Sequence, residues 1–441
     1  MGAYPIVLLR GDISLFVGGG IRSFSVVKMA LEQADVSSYT REDLALLLWA
    51  AKGGHEVVVK LLLERADINP NAADEHGQTP LFIAAYEGHE GVVKMLLERG
   101  NINPNTTANY ASGRTPLLIA AEKGHEGIVK MLLERVDVNP NTMDNDGKTP
   151  LFLAAHRGHG GVVKMLLERN DINPNTAAND GRTPLFVAAR YRREGVLEML
   201  LGRDDVNPNT ANNCGETALF VAAHNGHEGV VKMLLGRADV NPNTTGNGGE
   251  TPLLRATWER HKGVVKILLE QGDINPDAAD DDGQTPLYGA AWDGNKEIVK
   301  MLLKRNDVNR NAVNKEGETP LFAAAQFGED GVVEMLLDQD DVNPNTANKC
   351  GQTPLSEAAC NGHEGTVKML LERVDVNSDM PDLAGETALS RALREEHYDI
   401  VKLLCERKTS IPRLDGDKST ALFSYKPSDL GQHPFKRIRR F

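Results

Sequence analysis

The chain has 441 residues, with 49 Lys and Arg against 62 Asp and Glu and a formal net charge of −13. So acidic a chain is a poor candidate for wrapping nucleic acid or anionic membrane over its whole surface. The longest uninterrupted apolar run, Leu44–Ala51, has eight residues, far short of the roughly 20 that a membrane span needs.

Aliphatic and aromatic residues make up 41% and aromatics only 5%, which points to a core of Leu, Val, Ala and Met. Four cysteines are too few for a disulfide framework. The opening MGAYPIVLLRGD has too short an apolar run for a secretory leader, and no Ser or Thr where a myristoylation motif needs one. The expectation is a soluble cytoplasmic protein.

In chain order, the first feature is a weak copy of a later segment: SLFVGGGIRSFSVVKM from Ser14 aligns without a gap on PLFVAARYRREGVLEM from Pro184. Next, LLLWAAKGGHEVVVKLLLER surrounds Ala45, and GQTPLFIAAYEGHEGVVKMLLERG follows from Gly77. A marker Thr then recurs at Thr79, Thr115, Thr149, Thr183, Thr217, Thr251, Thr285, Thr319, Thr353 and Thr387, spaced 36 once and 34 eight times. A fixed period of this length is the signature of a stacked repeat architecture. Twelve units fit between about residue 12 and residue 408. The expected organisation is a degenerate capping unit over 1–44, the array over 45–408, and a C-terminal cap and basic tail over 409–441.

Each unit reads as helix, turn, helix, finger. Thr79 supplies an N-cap hydroxyl and Pro80 sits at the first helical position, where its missing N–H costs nothing. Ala84 and Ala85 permit close helix approach, and Gly88 predicts a left-handed stop after about two turns. A second helix is predicted over Val92–Arg99, too apolar to stand alone in water. The segment DINPNTTANYASG that follows is turn chemistry throughout. No unit can bury its own apolar face, so stacking has to do it.

Thr79-Pro80-Leu81, Ala84-Ala85 and Gly88-His89, repeated in most copies, together with Asp205-Val206-Asn207 and Asp341-Val342-Asn343, make the pattern resemble the ankyrin repeat over nearly the whole chain. One departure is the finger, which runs D-V-N-P-N-T before its tip, longer than the family's usual connection. The resemblance implies an all-α solenoid of stacked helix-turn-helix units in a curved, elongated array. It also implies fingers and first helices that form a concave recognition surface, and a function in binding other proteins.

Motifs that suggest chemistry fall into the repeat register. Eight of the 12 histidines (His55, His89, His125, His159, His227, His261, His363 and His397) sit ten residues after the marker, which marks them as holding the inter-helix turn rather than a metal. Nine of 12 methionines, from Met29 to Met369, share one second-helix position and read as core. A lysine row at Lys60, Lys94, Lys130 and onward is commonly followed by an acid four residues later, as Glu98 follows Lys94. No aromatics interleave it, so it reads as a solvated outer face rather than a nucleic-acid track.

Gly147-Lys148-Thr149 imitates the end of a P-loop, but Thr142 stands at the first glycine position. Gly18-Gly19-Gly20 replace the Ala-Ala positions of a degenerate first helix. Asp280-Asp281-Asp282-Gly283 lacks the alternate spacing and closing Glu of a calcium loop, and Cys214 and Cys350 lie four units apart. No metal, cofactor or catalytic residue is predicted. The remaining candidates for chemistry, His156, His224 and Cys360, share a register; His224 and Cys360 are four units apart, so no dyad forms between them.

The positions that vary while the scaffold repeats carry the functional signal, above all the two residues before the glycine that ends each first helix. In the ankyrin family these positions commonly contact partners. The candidate partner-binding residues are Tyr86, His156, Arg157, Arg190, Tyr191, Arg192, Arg193, His224, Trp258, Trp292 and Phe327. They suggest a bipolar groove, basic near Arg190–Arg193 and acidic-aromatic near Trp258, Trp292 and Phe327, flanked by Glu259, Asp293, Asp281 and Asp282. Arg192-Arg193 replace the usual Gly-His, and Arg260 replaces a glycine.

The expected function is a monomeric, non-enzymatic scaffold for a protein or peptide partner. The alternative is an adaptor or inhibitor in ubiquitin ligation or transcription, and a groove enzyme is the remote one. In the tail, Gly416–Phe423 imitates a repeat start. Lys436–Arg440 (KRIRR) reads first as a solvated terminus and second as a nuclear-import patch.

Overall fold

The computed structural model describes residues 41–109 and 112–410. The predicted copy at Ser14–Met29, the Gly18–Gly20 helix, the repeat-like Gly416–Phe423 and the basic Lys436–Arg440 lie outside the described residues. Among the described residues are eleven helix pairs, from Arg41–Lys52 with Glu56–Glu64 to Ala388–Arg394 with Tyr398–Ser410, and no strand. The boundaries expected after residues 44 and 408 both fall inside helices. At the first, Ala45 stands where other units carry a capping Thr, so nothing stops the helix from starting at Arg41.

The local signals act as their chemistry predicts. The Thr79 hydroxyl accepts from the Phe82 N–H, Pro80 opens the helix Pro80–Glu87, and Gly88 ends it at φ 86°. The same cap recurs at every marker Thr from Thr115 to Thr387, and each such cap is worth about 1 kcal/mol. The second helix is Glu90–Leu97, two residues earlier at both ends than Val92–Arg99. Arg99 is needed elsewhere: its backbone N–H closes on the Leu96 carbonyl, and its own carbonyl receives the Ile102 N–H that starts the finger.

First helices pack on first helices and second on second, so the principal contacts join only the same or adjacent units. Leu81, Ala84, Ala85, Val92, Val93 and Leu96 are fully buried, and their counterparts are buried along the stack except in the last pair, where Leu389 and Val401 are half-buried and Leu393 is exposed. The methionines from Met95 to Met369 pack half-buried against this core. The lysine row from Lys60 to Lys402 is exposed on the second helices.

Three polar ladders tie unit to unit. From His89 onward the repeat histidines reach into the preceding unit rather than, as the sequence suggests, closing their own turns. His89, His159 and His261 bond through Nε2 to the carbonyls of Lys52, Glu122 and His224 at 2.8, 2.8 and 3.0 Å. The D-V-N-P-N-T finger supplies the second ladder. Asn175 Nδ2 donates to the Asp205 carbonyl at 2.6 Å, and its Oδ1 accepts the Asn207 N–H at 2.8 Å; Asn209, Asn243 and Asn345 do the same.

In the third ladder an arginine clamps an aspartate two residues on and donates to the unit before. Arg203 grips Asp205 at 2.8 and 2.7 Å and bonds the Leu167 carbonyl at 2.5 Å. The long finger is therefore an extra source of inter-unit hydrogen bonds. Finger tips also stack through one backbone bond each, as Asn213 N–H to the Asp180 carbonyl at 3.0 Å.

Candidate partner-binding groove

The predicted site residues sit at the C-terminal ends of the first helices or in the turns that follow them. Their most informative feature is exposed aromatic surface. Tyr86, Tyr191, Trp258, Trp292 and Phe327 are 41, 40, 40, 44 and 42% exposed. Among the described residues only one further aromatic, Tyr398, is as exposed.

Tyr86 stands apart from the others. Lys123 Nζ sits 4.3 Å from its ring centroid, and both line an open cavity of about 540 Å³ with Phe82, Ile83, Arg114 and Glu122. Two units on, His156 meets Tyr191 edge to face, with centroids 4.5 Å apart. Burial, then the charges of Arg157 and Arg193, hold His156 below the usual histidine range, so it faces the groove as a neutral ring.

The basic cluster is mostly occupied by internal partners. Arg157 reaches back to Glu122 at 2.8 Å, which Arg114 also grips while contacting Asp144 at 3.2 Å. Burial alone would raise the Glu122 carboxyl, but Arg157 and Arg114 outweigh it and the pKa falls. Arg192 pairs with Glu194 at 2.9 Å. Arg193 takes over the missing histidine's task, its Nε donating to the His156 carbonyl at 3.3 Å. Arg190 is exposed, and its guanidinium makes no hydrogen bond or ion pair among the described residues.

Replacing the left-handed glycine has not changed the backbone. Arg192 and Arg260 adopt φ 53° and 59°, and Glu396 adopts 62°, a region that costs a residue with a β-carbon roughly 1–2 kcal/mol. Arg260 is tied across units to Asp293, Nε to Oδ2 at 3.2 Å.

His224 accepts the Arg255 Nε–H at Nδ1, 2.8 Å away. Burial, then Arg255, lowers its pKa. Cys360 is half-buried, and that burial raises its thiol pKa. Among the described residues no group of three or more His, Cys, Asp and Glu is arranged to hold a metal.

The aromatic half is more organised than its sequence suggests. Trp292 and Phe327 contact each other at 4.4 Å between centroids, tilted by 56°, and Tyr288 lies 6.1 Å from Trp292. Beneath them a cavity of about 370 Å³ is lined by Asp282, Gln284, Tyr288, Trp292, Asn314, Lys315, Glu316, Glu318 and Gln326. Tyr288, Glu318 and Gln326 were not among the predicted residues. The available signal was a Tyr in a register otherwise filled by Phe, Leu and Ser, the third residue of each first helix.

The Tyr288 hydroxyl donates to Glu318 Oε2 at 2.7 Å, and Asn314 Nδ2 donates to the same oxygen at 2.8 Å. Burial, then the Glu318 charge, drives the phenol far up, so it stays a donor.

A family model of ankyrin repeats in three copies matches residues 20–108, 101–177, 117–212, 204–280, 272–348 and 340–415. The chain belongs to the ankyrin-repeat family. Ankyrin repeats are protein-interaction modules, and the ankyrin stack described above is the family's fold. One similar solved structure is the ankyrin repeat domain of Bcl-3, described as a unique member of the IkappaB protein family. It is 24% identical, with a TM-score of 0.47, over 51% of this chain and 99% of its own. Among curated proteins none matches the chain. No described helix of this ankyrin protein is long and apolar enough to cross a membrane.

Proposed function

We propose that this ankyrin array is a non-enzymatic scaffold that binds a protein or peptide partner along the face formed by its first helices and fingers. The observation that carries this reading is the confinement of five exposed aromatics, Tyr86, Tyr191, Trp258, Trp292 and Phe327, to one pair of adjacent positions at the ends of the first helices. A stack with a continuous buried core of Leu, Val and Ala gains little in its own stability from leaving 40 and 44% of Trp258 and Trp292 in water. At an interface, Trp, Tyr and Arg contribute the largest shares of binding energy. The unpaired Arg190 and the exposed Trp258 and Trp292 are the anchors of this face; Arg157, Arg192 and Arg193 serve the scaffold first.

The test is affinity capture with the full chain as bait beside a Trp258→Ala/Trp292→Ala/Arg190→Ala variant of unchanged helical content. A partner held by the wild type and lost by the variant supports the groove. A partner held equally by both moves the site to the second helices or finger tips.

A further inference from the structure

We propose that the cavity beneath Trp292 receives the guanidinium of an arginine side chain on the partner. This deepens the groove reading and rests on it. The cavity wall carries three carboxylates, Asp282, Glu316 and Glu318, against one cation, Lys315. None of these four makes an ion pair among the described residues, although the stack pairs its charges freely elsewhere, as at Arg157–Glu122 and Arg260–Asp293.

Glu318 is oriented rather than neutralised. Tyr288 and Asn314 both donate to its Oε2, and Oε1 takes no donor among the described residues. Gln326 lines the same cavity, and its Oε1 is buried without any hydrogen-bond partner, an acceptor that a native structure normally satisfies. Surplus negative charge, a half-used carboxylate, a partly exposed indole and a glutamine whose oxygen lacks a donor thus belong to residues lining one cavity.

A guanidinium answers all of these at once. Its planar fork of five N–H donors can reach a carboxylate and a neighbouring amide oxygen together, and its face stacks on an aromatic ring. An ammonium supplies charge without the fork or the stacking plane. An anionic group would meet the carboxylates and is disfavoured on charge alone.

The probe is acetyl-Gly-Arg-Gly-amide, titrated against the full chain by saturation-transfer NMR. Its counterpart has citrulline, the neutral isostere, in place of arginine. Saturable binding is expected for the arginine peptide, weakened about ten-fold or more by citrulline, by Glu318→Gln and by Trp292→Ala. Circular dichroism verifies that both variants stay folded; both positions are accessible, and Gln preserves the shape of Glu318.

No saturation up to about 10 mM, or equal binding of the citrulline peptide, overturns the proposal. Equal binding of a lysine peptide overturns the guanidinium assignment. A captured partner that is lost on Arg190→Ala but indifferent to Glu318→Gln and Trp292→Ala sinks the cavity and leaves the groove. A partner indifferent to all three sinks the groove reading itself.

Discussion

The indole of Trp258 occupies the space that a side chain on Gly289 would need: a β-carbon there would come within 2.6 Å of its Nε1. The equivalent first-helix positions carry Ile83, Ile119, Leu153, Val187, Val221, Arg255, Ala323, Glu357 and Arg391, so Gly289 alone lacks a side chain. Part of Trp258 is therefore packed on its neighbour's helix while 40% of it stays exposed. Gly289→Ala is expected to push the indole outward. Helix propensity improves by about 1 kcal/mol and the lost packing offsets it, so stability changes little. Tryptophan emission moves to the red and iodide quenching rises. Unchanged quenching would mean that the two residues do not compete for this space.

The histidine ladder predicts a graded response to substitution. His159→Ala leaves the Glu122 carbonyl without its 2.8 Å partner and should cost about 1 kcal/mol in urea unfolding. Arg193→Ala should cost a similar amount, because Arg193 bonds the equivalent His156 carbonyl. Arg193→His restores the repeat's usual bridge and should match or exceed the wild type. A loss equal to that of Arg193→Ala would refute the equivalence.

Left-handed backbone at Arg192 and Glu396 marks two sites of stored strain. Arg192→Gly and Glu396→Gly should each stabilise the stack by about 0.5–1 kcal/mol, the relieved strain exceeding the entropy a glycine adds to the unfolded chain. Arg260→Gly should gain less, since it forfeits the bond to Asp293. Denaturant midpoints rank the three variants directly.

Asp277 interrupts the asparagine ladder. It accepts the Asn309 N–H at 3.0 and 2.9 Å, but a carboxylate cannot donate to the Asp307 carbonyl as the ladder's other amides donate to theirs. Burial raises its pKa above 3.8, Asn309 lowers it and the Asp307 charge raises it again, for a net rise. An acid with a raised folded pKa contributes stability below its unfolded pKa and loses it as pH rises through the folded value. At neutral pH Asp277 is thus a cost, and Asp277→Asn should gain about 1 kcal/mol. The gain should shrink below about pH 4, where the carboxyl is protonated in both states. A gain independent of pH would point to another cause.

His156 and His224 act in the opposite sense. Their pKa values lie below 6.5, through burial first and then through Arg157 and Arg255 respectively. A base with a depressed folded pKa binds fewer protons folded than unfolded, so its contribution is complete above the unfolded value and is lost as pH falls below it. The urea midpoint of the wild type should drop as pH falls through the window below 6.5, and His224→Gln with His156→Gln should remove part of that drop. An identical pH profile in the double variant would exclude these rings as the source.

Much of the architecture is legible in the sequence because its causes are local. Thr-Pro caps, Ala-Ala contacts and left-handed glycines each act within a few residues, and the period of 34 repeats the same local solution. The exposed aromatic positions at the first-helix ends are legible for a related reason: they are what varies when everything else repeats. What could not be read was the partner of each polar side chain. Arg157 and Arg190 look alike in sequence, yet one is committed to Glu122 and the other is unpaired. Arg193 looks like a groove residue and is a rung of the histidine ladder.

The sequence by itself therefore determined the repeat, the caps of the first helices and the register at which the exposed aromatics recur, since these depend on neighbours along the chain. Only the tertiary structure decided which charges are spent, which acceptors are orphaned and where a cavity opens. Those outcomes depend on groups about 30 to 37 residues apart, brought together by stacking. Tyr288 and Glu318, 30 residues apart, become a donor and its acceptor only once one unit lies against the next.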